Sequence, residues 1–176
     1  MKVFEPPTAA DIKIVEKHIG RTPRGLLYVQ ARCVCSNPAV VSVQPLLDDG
    51  TPFPTFYWLT LASAVKAVSK LEASGLMKSL NQQLANDPIM RQKYQQAHEF
   101  YLRDRTLVKD VPELHNISAG GMPTRVKCLH ALLAHSLASG YGINPIGDQV
   151  RDILRPTWSL ETCYCSSSIK SVNLTL

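Results

Sequence analysis

The sequence predicts an α+β fold, in which a small three-stranded antiparallel sheet packs against about five helices. Apolar residues follow a helical period before residue 20, cluster as in strands between residues 24 and 60, and then return to a helical period. The connections within the strand region are rich in Pro, Gly, Asn and Asp, which is typical of an antiparallel meander. With 176 residues, 45% of them hydrophobic and 19% charged, the chain has the size and composition of one folded domain.

The first predicted helix covers residues 8–19, because Thr8 can cap its start and Gly20 can end it. Runs of β-branched and aromatic residues then predict three strands, at residues 26–31, 40–44 and 56–60. The first strand ends near Cys33 and Cys35, just before a turn.

Helices are predicted from residue 60 to the end of the folded part. Leucines spaced by four residues predict a helix that stops at Asp87-Pro88, where the next helix begins and continues to about residue 107. After a loop, we expect a helix over about 123–139 and a last helix that Pro156 ends. The domain is therefore predicted to span residues 1–156, followed by a flexible or loosely docked tail at 157–176.

The charge pattern limits the classes of partner. The chain has 19 Lys and Arg against 14 Asp and Glu, a net charge of +5, and these cations are scattered along the sequence. This pattern allows a small anionic ligand but predicts no specific nucleic acid binding. The first residues lack the pattern of a secretory signal, and no run approaches eighteen apolar residues, so we expect a cytoplasmic protein without membrane insertion.

The five cysteines are an odd number in a chain that we expect to be cytoplasmic, which argues against a disulfide framework. They form two Cys-x-Cys pairs, Cys33 with Cys35 and Cys163 with Cys165, and a single Cys128 between them. In an extended chain this spacing puts both thiols of a pair on one face. The thiols are therefore expected to be buried, ligating or reactive.

The single cysteine belongs to a segment that combines glycines, cations, a thiol and imidazoles. Gly120 and Gly121 permit a sharp turn, and the amides of the helix predicted after them attract anions, so we expect an anion site formed by these glycines with Arg125 and Lys127. Arg125 lies three residues before Cys128 and would favour a nucleophilic thiolate, which makes this pair the catalytic candidates. A turn that only leads into the helix explains the glycines equally well.

The second interpretation of the same segment is that it contributes ligands to a metal site. On a helix of about 100° per residue, His130 points roughly 160° away from Cys128, and His135 lies about two turns further along. A four-ligand zinc or iron-sulfur site would therefore combine Cys33, Cys35 and Cys128 with one histidine, either His130, His135 or His115. This reading predicts that the first Cys-x-Cys pair faces the segment 120–135. The alternative is that these two cysteines are small buried apolar residues at a strand end.

Several motifs in matching order resemble the DUF501 family, found mainly in actinobacteria. The resemblance covers about residues 8–155 and is carried by Arg32-Cys33-Val34-Cys35-Ser36-Asn37-Pro38, by residues 49–60, by residues 120–135 and by Asn144-Pro145-Ile146-Gly147-Asp148. It implies an uncharacterised cytoplasmic protein whose gene often lies beside those for a septum-formation initiator and an exopolyphosphatase-like protein. Family members commonly have a cysteine where this chain has Leu61.

Three classes of function remain open at this point. A metal-thiolate protein needs converging thiols, and a thiol-dependent or phosphate-handling enzyme needs Cys128 and Arg125 exposed in a pocket at Gly120. A non-enzymatic interaction module with a division-protein partner needs an exposed apolar patch instead. The sequence does not decide whether the protein is an enzyme, nor its oligomeric state.

Overall fold

The computed structural model describes residues 5–165, and these residues confirm the α+β prediction. A three-stranded antiparallel sheet is combined with six α-helices, against about five expected. In chain order the elements are α1 (Ala9–Ile19), β1 (Leu26–Arg32), β2 (Pro38–Val43), β3 (Tyr57–Leu59), α2 (Ala62–Ala73), α3 (Leu76–Asn86), α4 (Pro88–Thr106), a short 3-10 helix (Pro112–Leu114), α5 (Leu129–Ser139) and α6 (Pro145–Leu154). None of the helices in this range is both long and apolar enough to cross a membrane.

The sheet has the order β1-β2-β3, so β2 lies in the centre and pairs with both neighbours. All six residues of β2 are buried, which agrees with its run of small and β-branched side chains. Helix α5 packs on this sheet and on α6, and it contributes four fully buried apolar residues to the core, Leu129, Leu132, Leu133 and Ala134.

Helix α5 begins six residues later than the sequence analysis predicts. Residues 125–128 are not helical, because the Asn81 side chain of α3 binds both backbone groups of Val126, donating to its carbonyl at 2.9 Å and accepting from its amide at 2.9 Å. These bonds replace the helical pairing of Val126. Cys128 consequently adopts an extended backbone and forms the N-cap of α5, rather than lying in its second turn.

The packed core continues past the predicted domain boundary at residue 156. The Trp158 side chain is 3% exposed, belongs to the same apolar core and donates its indole N–H to the Ser63 hydroxyl at 3.2 Å. The remainder of the predicted tail, residues 166–176, lies outside the described residues.

The start of α1 is fixed to the end of β1 by a partly buried ion pair. Asp11 forms a capping box with Thr8, and its carboxylate also accepts from Arg32 at 2.7 and 3.0 Å. The same guanidinium binds Glu5 at 2.6 Å and the carbonyl of Ser36 at 2.7 Å. Arg32 therefore holds the turn after β1 against α1.

We expect this ion pair to make the free energy of unfolding depend on pH in the acid range. The Arg32 guanidinium lowers the pKa of Asp11 from 3.8 to about 2, so its contribution of about 2 kcal/mol is complete above pH 4 and lost as pH falls through 2. The variant Asp11→Asn should lower the free energy of unfolding at pH 7 and flatten its decline between pH 4 and 2, measured by urea unfolding. An unchanged pH profile would contradict the assignment, and Asp48→Asn, which has no Arg32 contact, is the matched control.

Candidate functional site

The structure brings both Cys-x-Cys pairs together into one group of four thiols. The Sγ atoms of Cys33, Cys35, Cys163 and Cys165 all lie within 4.8 Å of one another, and those of Cys35 and Cys165 are 3.6 Å apart. We call this group the four-cysteine cluster. All four are free thiols in the structure, with Cys33 buried and the others exposed to different degrees.

Two backbone segments position the cluster. After β1 the chain turns back on itself, with the amide of Cys33 donating to the carbonyl of Asn37 at 2.9 Å and the amide of Ser36 donating to the carbonyl of Cys33 at 2.7 Å. The amide of Val34 donates to the carbonyl of Leu160 at 2.8 Å, and this bond joins the turn to the segment that carries the second pair. Thiols far apart in the sequence thereby meet.

The four thiols differ in how easily they ionise. Burial raises the pKa of Cys33 and raises that of Cys165 to about 12. Burial also acts on Cys35, but the Asn37 amide and hydrogen bonds from the other thiols of the cluster outweigh it and lower the pKa of Cys35. Of these three thiols, only that of Cys35 has surroundings that favour the thiolate, whereas a bound cation would favour the thiolate at each of its ligands.

The spacing of the sulfur atoms matches a single tetrahedral ion. Four thiolates that bind one zinc at about 2.3 Å have sulfur atoms about 3.8 Å apart, close to the 3.6 Å between Cys35 and Cys165. A disulfide would need about 2.05 Å between sulfur atoms. An iron-sulfur cluster spreads its thiolates around two or more irons, so a one-ion site fits this compact arrangement better.

A second group of metal-binding side chains lies elsewhere in the fold. Single ligand atoms of Glu72, Cys128 and His130 lie within 4.8 Å of one another, and we call this trio the cleft site. The imidazole Nδ1 of His130 is 3.2 Å from the Glu72 carboxylate. Its Nε2 faces the carbonyl of Val65 at 3.3 Å and the hydroxyl of Ser69 at 3.2 Å.

The glycine pair shapes the loop that leads to the cleft site. The carbonyl of Gly120 accepts from the amide of Lys127 at 2.8 Å, and that of Gly121 accepts from the amide of Arg125 at 3.0 Å. Both glycines have positive φ, and a Cβ on Gly121 would lie 2.5 Å from the carbonyl oxygen of Arg125. Only glycine allows this close return of the chain.

The helix-start part of the predicted anion site is wrong, because Gly120 and Gly121 do not begin a helix. Helix α5 starts at Leu129, and the amide of Leu129 donates to the carboxylate of Glu72 at 2.7 Å. A protein carboxylate therefore already occupies the anion position at this helix start.

The predicted anion-binding residues do share a cleft with the thiol. Its volume is about 660 Å³, and one wall is formed by the edge of β3, including Trp58. The predicted site residues that line it are Gly120, Gly121, Arg125, Lys127, Cys128 and His130. The side chains of Arg125 and Lys127 are exposed, and within residues 5–165 neither forms an ion pair.

His130 is the imidazole of the cleft site, and its surroundings raise its pKa. Its interaction with Cys128 and the negative charge of Glu72 outweigh the effect of burial and raise the pKa of His130 to about 9. Negative groups of this kind stabilise a positive charge beside them, which can be carried by a proton or by a metal ion.

The metal ligands expected from the sequence are thus divided between two groups. Cys33 and Cys35 lie with the second Cys-x-Cys pair, while Cys128 lies with His130, and neither group among residues 5–165 contains His135 or His115. His135 is fully buried, stacks on Tyr57 with ring centroids 5.7 Å apart and contacts Asn144 at 3.0 Å. His115 pairs with Asp110 at 2.6 Å.

Two parts of these groups were missed by sequence reasoning. The second Cys-x-Cys pair was assigned to a tail of open role, although two matching pairs already supply the four thiols of a closed zinc site. Glu72 carries no local signal, because it is a single partly buried carboxylate on an ordinary amphipathic helix and lies far from Cys128 in the sequence. Only the packing of α2 against α5 reveals it.

Comparison with known families gives one match. The sequence profile of a family described as "Protein of unknown function (DUF501)" matches residues 29–152. This range includes the whole cleft site and the first Cys-x-Cys pair, but it ends before the second pair. Neither the curated proteins nor the solved structures contain a significant match to this chain.

Proposed function

The chain belongs to the DUF501 family, which its description leaves without a function, and we propose that it is a metal-thiolate protein whose four-cysteine cluster binds one zinc ion. The observation that carries this proposal is the convergence of four thiols within 4.8 Å from two separate segments. Four thiolates and no open position are the features of a structural zinc site. The zinc would fasten the segment of residues 157–165 to the turn after β1.

The surroundings of the cluster support this proposal. Leu61, at the position where the resembling family commonly has a cysteine, lines a cavity of about 360 Å³ together with Cys165. A cysteine at position 61 would therefore line the same cavity as Cys165. In this chain the cysteines of the C-terminal segment would supply ligands in its place.

The experiment is a count of metal ions in the full chain purified without added metal. The double variant Cys163→Ser/Cys165→Ser should contain one zinc ion fewer per chain than the wild type, measured by elemental analysis and native mass spectrometry. Tyr164→Ala, which alters the residue between the two ligands, is the matched control and should retain the wild-type content. Equal zinc in the double variant and the wild type would reject the proposal.

A further inference from the structure

We propose that Glu72, Cys128 and His130 form a second zinc site, whose fourth position opens into the cleft and accepts an oxyanion, a carboxylate or a phosphate. Thiolate, imidazole and carboxylate are all zinc ligands, and three protein ligands with one free position are the usual composition of a reactive zinc site. This site shares no residue with the four-cysteine cluster. The test of this site is therefore independent of the test of the function proposed above.

The distance between the donor atoms supports a common ion. Zinc bonds of about 2.0–2.1 Å to oxygen and nitrogen at a tetrahedral angle place the two ligand atoms about 3.3 Å apart. The Glu72 carboxylate oxygen and the His130 Nδ1 are 3.2 Å apart. The thiol of Cys128 completes a trio within 4.8 Å, so small side-chain adjustments bring all three to one centre.

The outer contacts of the trio are those of a metal site. A ligating histidine usually donates its other ring N–H to a carbonyl or carboxylate, which fixes the ring. Here the Nε2 of His130 faces the Val65 carbonyl and the Ser69 hydroxyl, which leaves Nδ1 for the ion. The Glu72 carboxylate is held in turn by the amide of Leu129.

The same contacts disfavour a nucleophilic relay through Cys128. In a cysteine-histidine-carboxylate relay the imidazole lies between the other two groups and offers one nitrogen to each. In this structure Glu72 faces Nδ1, while Nε2 faces the carbonyl of Val65. Because Nε2 already faces the Val65 carbonyl and the Ser69 hydroxyl, the imidazole does not offer one nitrogen to the carboxylate and the other to the thiol alone.

The cleft explains why the fourth position would take an oxyanion. Cys128 and His130 are partly exposed and line the cleft, so an ion bound by them is reachable from solvent. Arg125 and Lys127 line the same cleft, and both are exposed. An anion that enters would meet two cations and the metal ion together.

Metal counting on the full chain tests the site first. The wild type should bind two zinc ions per chain, and Glu72→Gln, Cys128→Ser and His130→Ala should each bind one. Glu72→Gln keeps an oxygen that can accept from the Leu129 amide, so it separates loss of metal from loss of folding, which circular dichroism monitors. Glu99→Gln, on the exposed surface of α4, is the matched control. Two zinc ions in all three variants, or one in the wild type that only the Cys163→Ser/Cys165→Ser variant loses, would overturn the proposal.

Cobalt substitution tests the open position. Co²⁺ bound to the wild type should show a visible spectrum that changes when inorganic phosphate or acetate is titrated. The anion that produces the change at the lower concentration is the preferred oxyanion. Lys127→Gln should bind cobalt normally but need at least about threefold more anion for the same change. A spectrum that neither anion alters would overturn the open position. Rapid alkylation of Cys128 in wild-type protein that binds no metal at this site would overturn the proposal in favour of a nucleophilic thiol.

Discussion

Loss of zinc from the four-cysteine cluster is expected to lower the free energy of unfolding by about 4 kcal/mol, if free zinc is about 1,000 times its dissociation constant. The proposed zinc ion would bind only the folded arrangement, because its ligands come from the turn after β1 and from the segment near Trp158. The midpoint of thermal unfolding should rise with zinc concentration in the wild type. The rise should be smaller in Cys163→Ser/Cys165→Ser, because this variant keeps only the cleft site for zinc.

Limited proteolysis locates this effect. Without zinc, the segment of residues 157–165 is held by fewer contacts, among them those of the Trp158 side chain and the Leu160 carbonyl, so cleavage there should become faster before the core opens. Tyr164→Ala, with both ligands intact, should behave as the wild type when zinc is present. Equal cleavage rates with and without zinc in the wild type would contradict the proposed fastening role.

Replacement of Gly147 by valine is expected to lower the free energy of unfolding by about 3 kcal/mol or more, measured by urea unfolding. Helix α6 approaches α5 so closely that a Cβ at this position would overlap the carbonyl oxygen of Leu132 and lie 2.8 Å from the Cβ of Ser136. Backbone atoms of α5 cannot move aside without disturbing the core beneath them.

A matched variant on the same helix separates packing from helix propensity. Gln149→Val introduces the same β-branched residue at a partly exposed position of α6, so it should cost less than about 1 kcal/mol. Gly147→Ala should fall between the two. Similar losses for Gly147→Val and Gln149→Val would contradict a special cost of the close contact between the two helices, since helix propensity alone favours valine over glycine.

Patterns local in sequence predicted the fold class well. The strand-rich region, its turns and the helical periods after residue 60 depend on neighbouring residues, and the structure has the expected antiparallel sheet with its helices. The predicted start of α5 was wrong because a side chain distant in sequence determines where this helix begins. Asn81 binds the backbone of Val126, and no local pattern near residue 126 carries that information.

Dependence on residues distant in sequence also limits how much of the sites could be predicted. Residue type and spacing drew attention to the cysteines, to His130 and to the loop of Gly120 and Gly121, and their role in a site stays a prediction. Which of them would meet was beyond the sequence, since a helical projection placed His130 away from Cys128 whereas the extended N-cap brings them near each other. Glu72 enters the site only through tertiary packing.

The most direct test of the central claim is X-ray absorption at the zinc edge on the Cys128→Ser variant. This variant removes the thiol of the cleft site and leaves the four-cysteine cluster intact. The account predicts that its zinc is surrounded by four sulfur atoms at about 2.3 Å, and that this signal disappears in Cys163→Ser/Cys165→Ser. A first shell dominated by nitrogen or oxygen, or a variant without bound zinc, would contradict it.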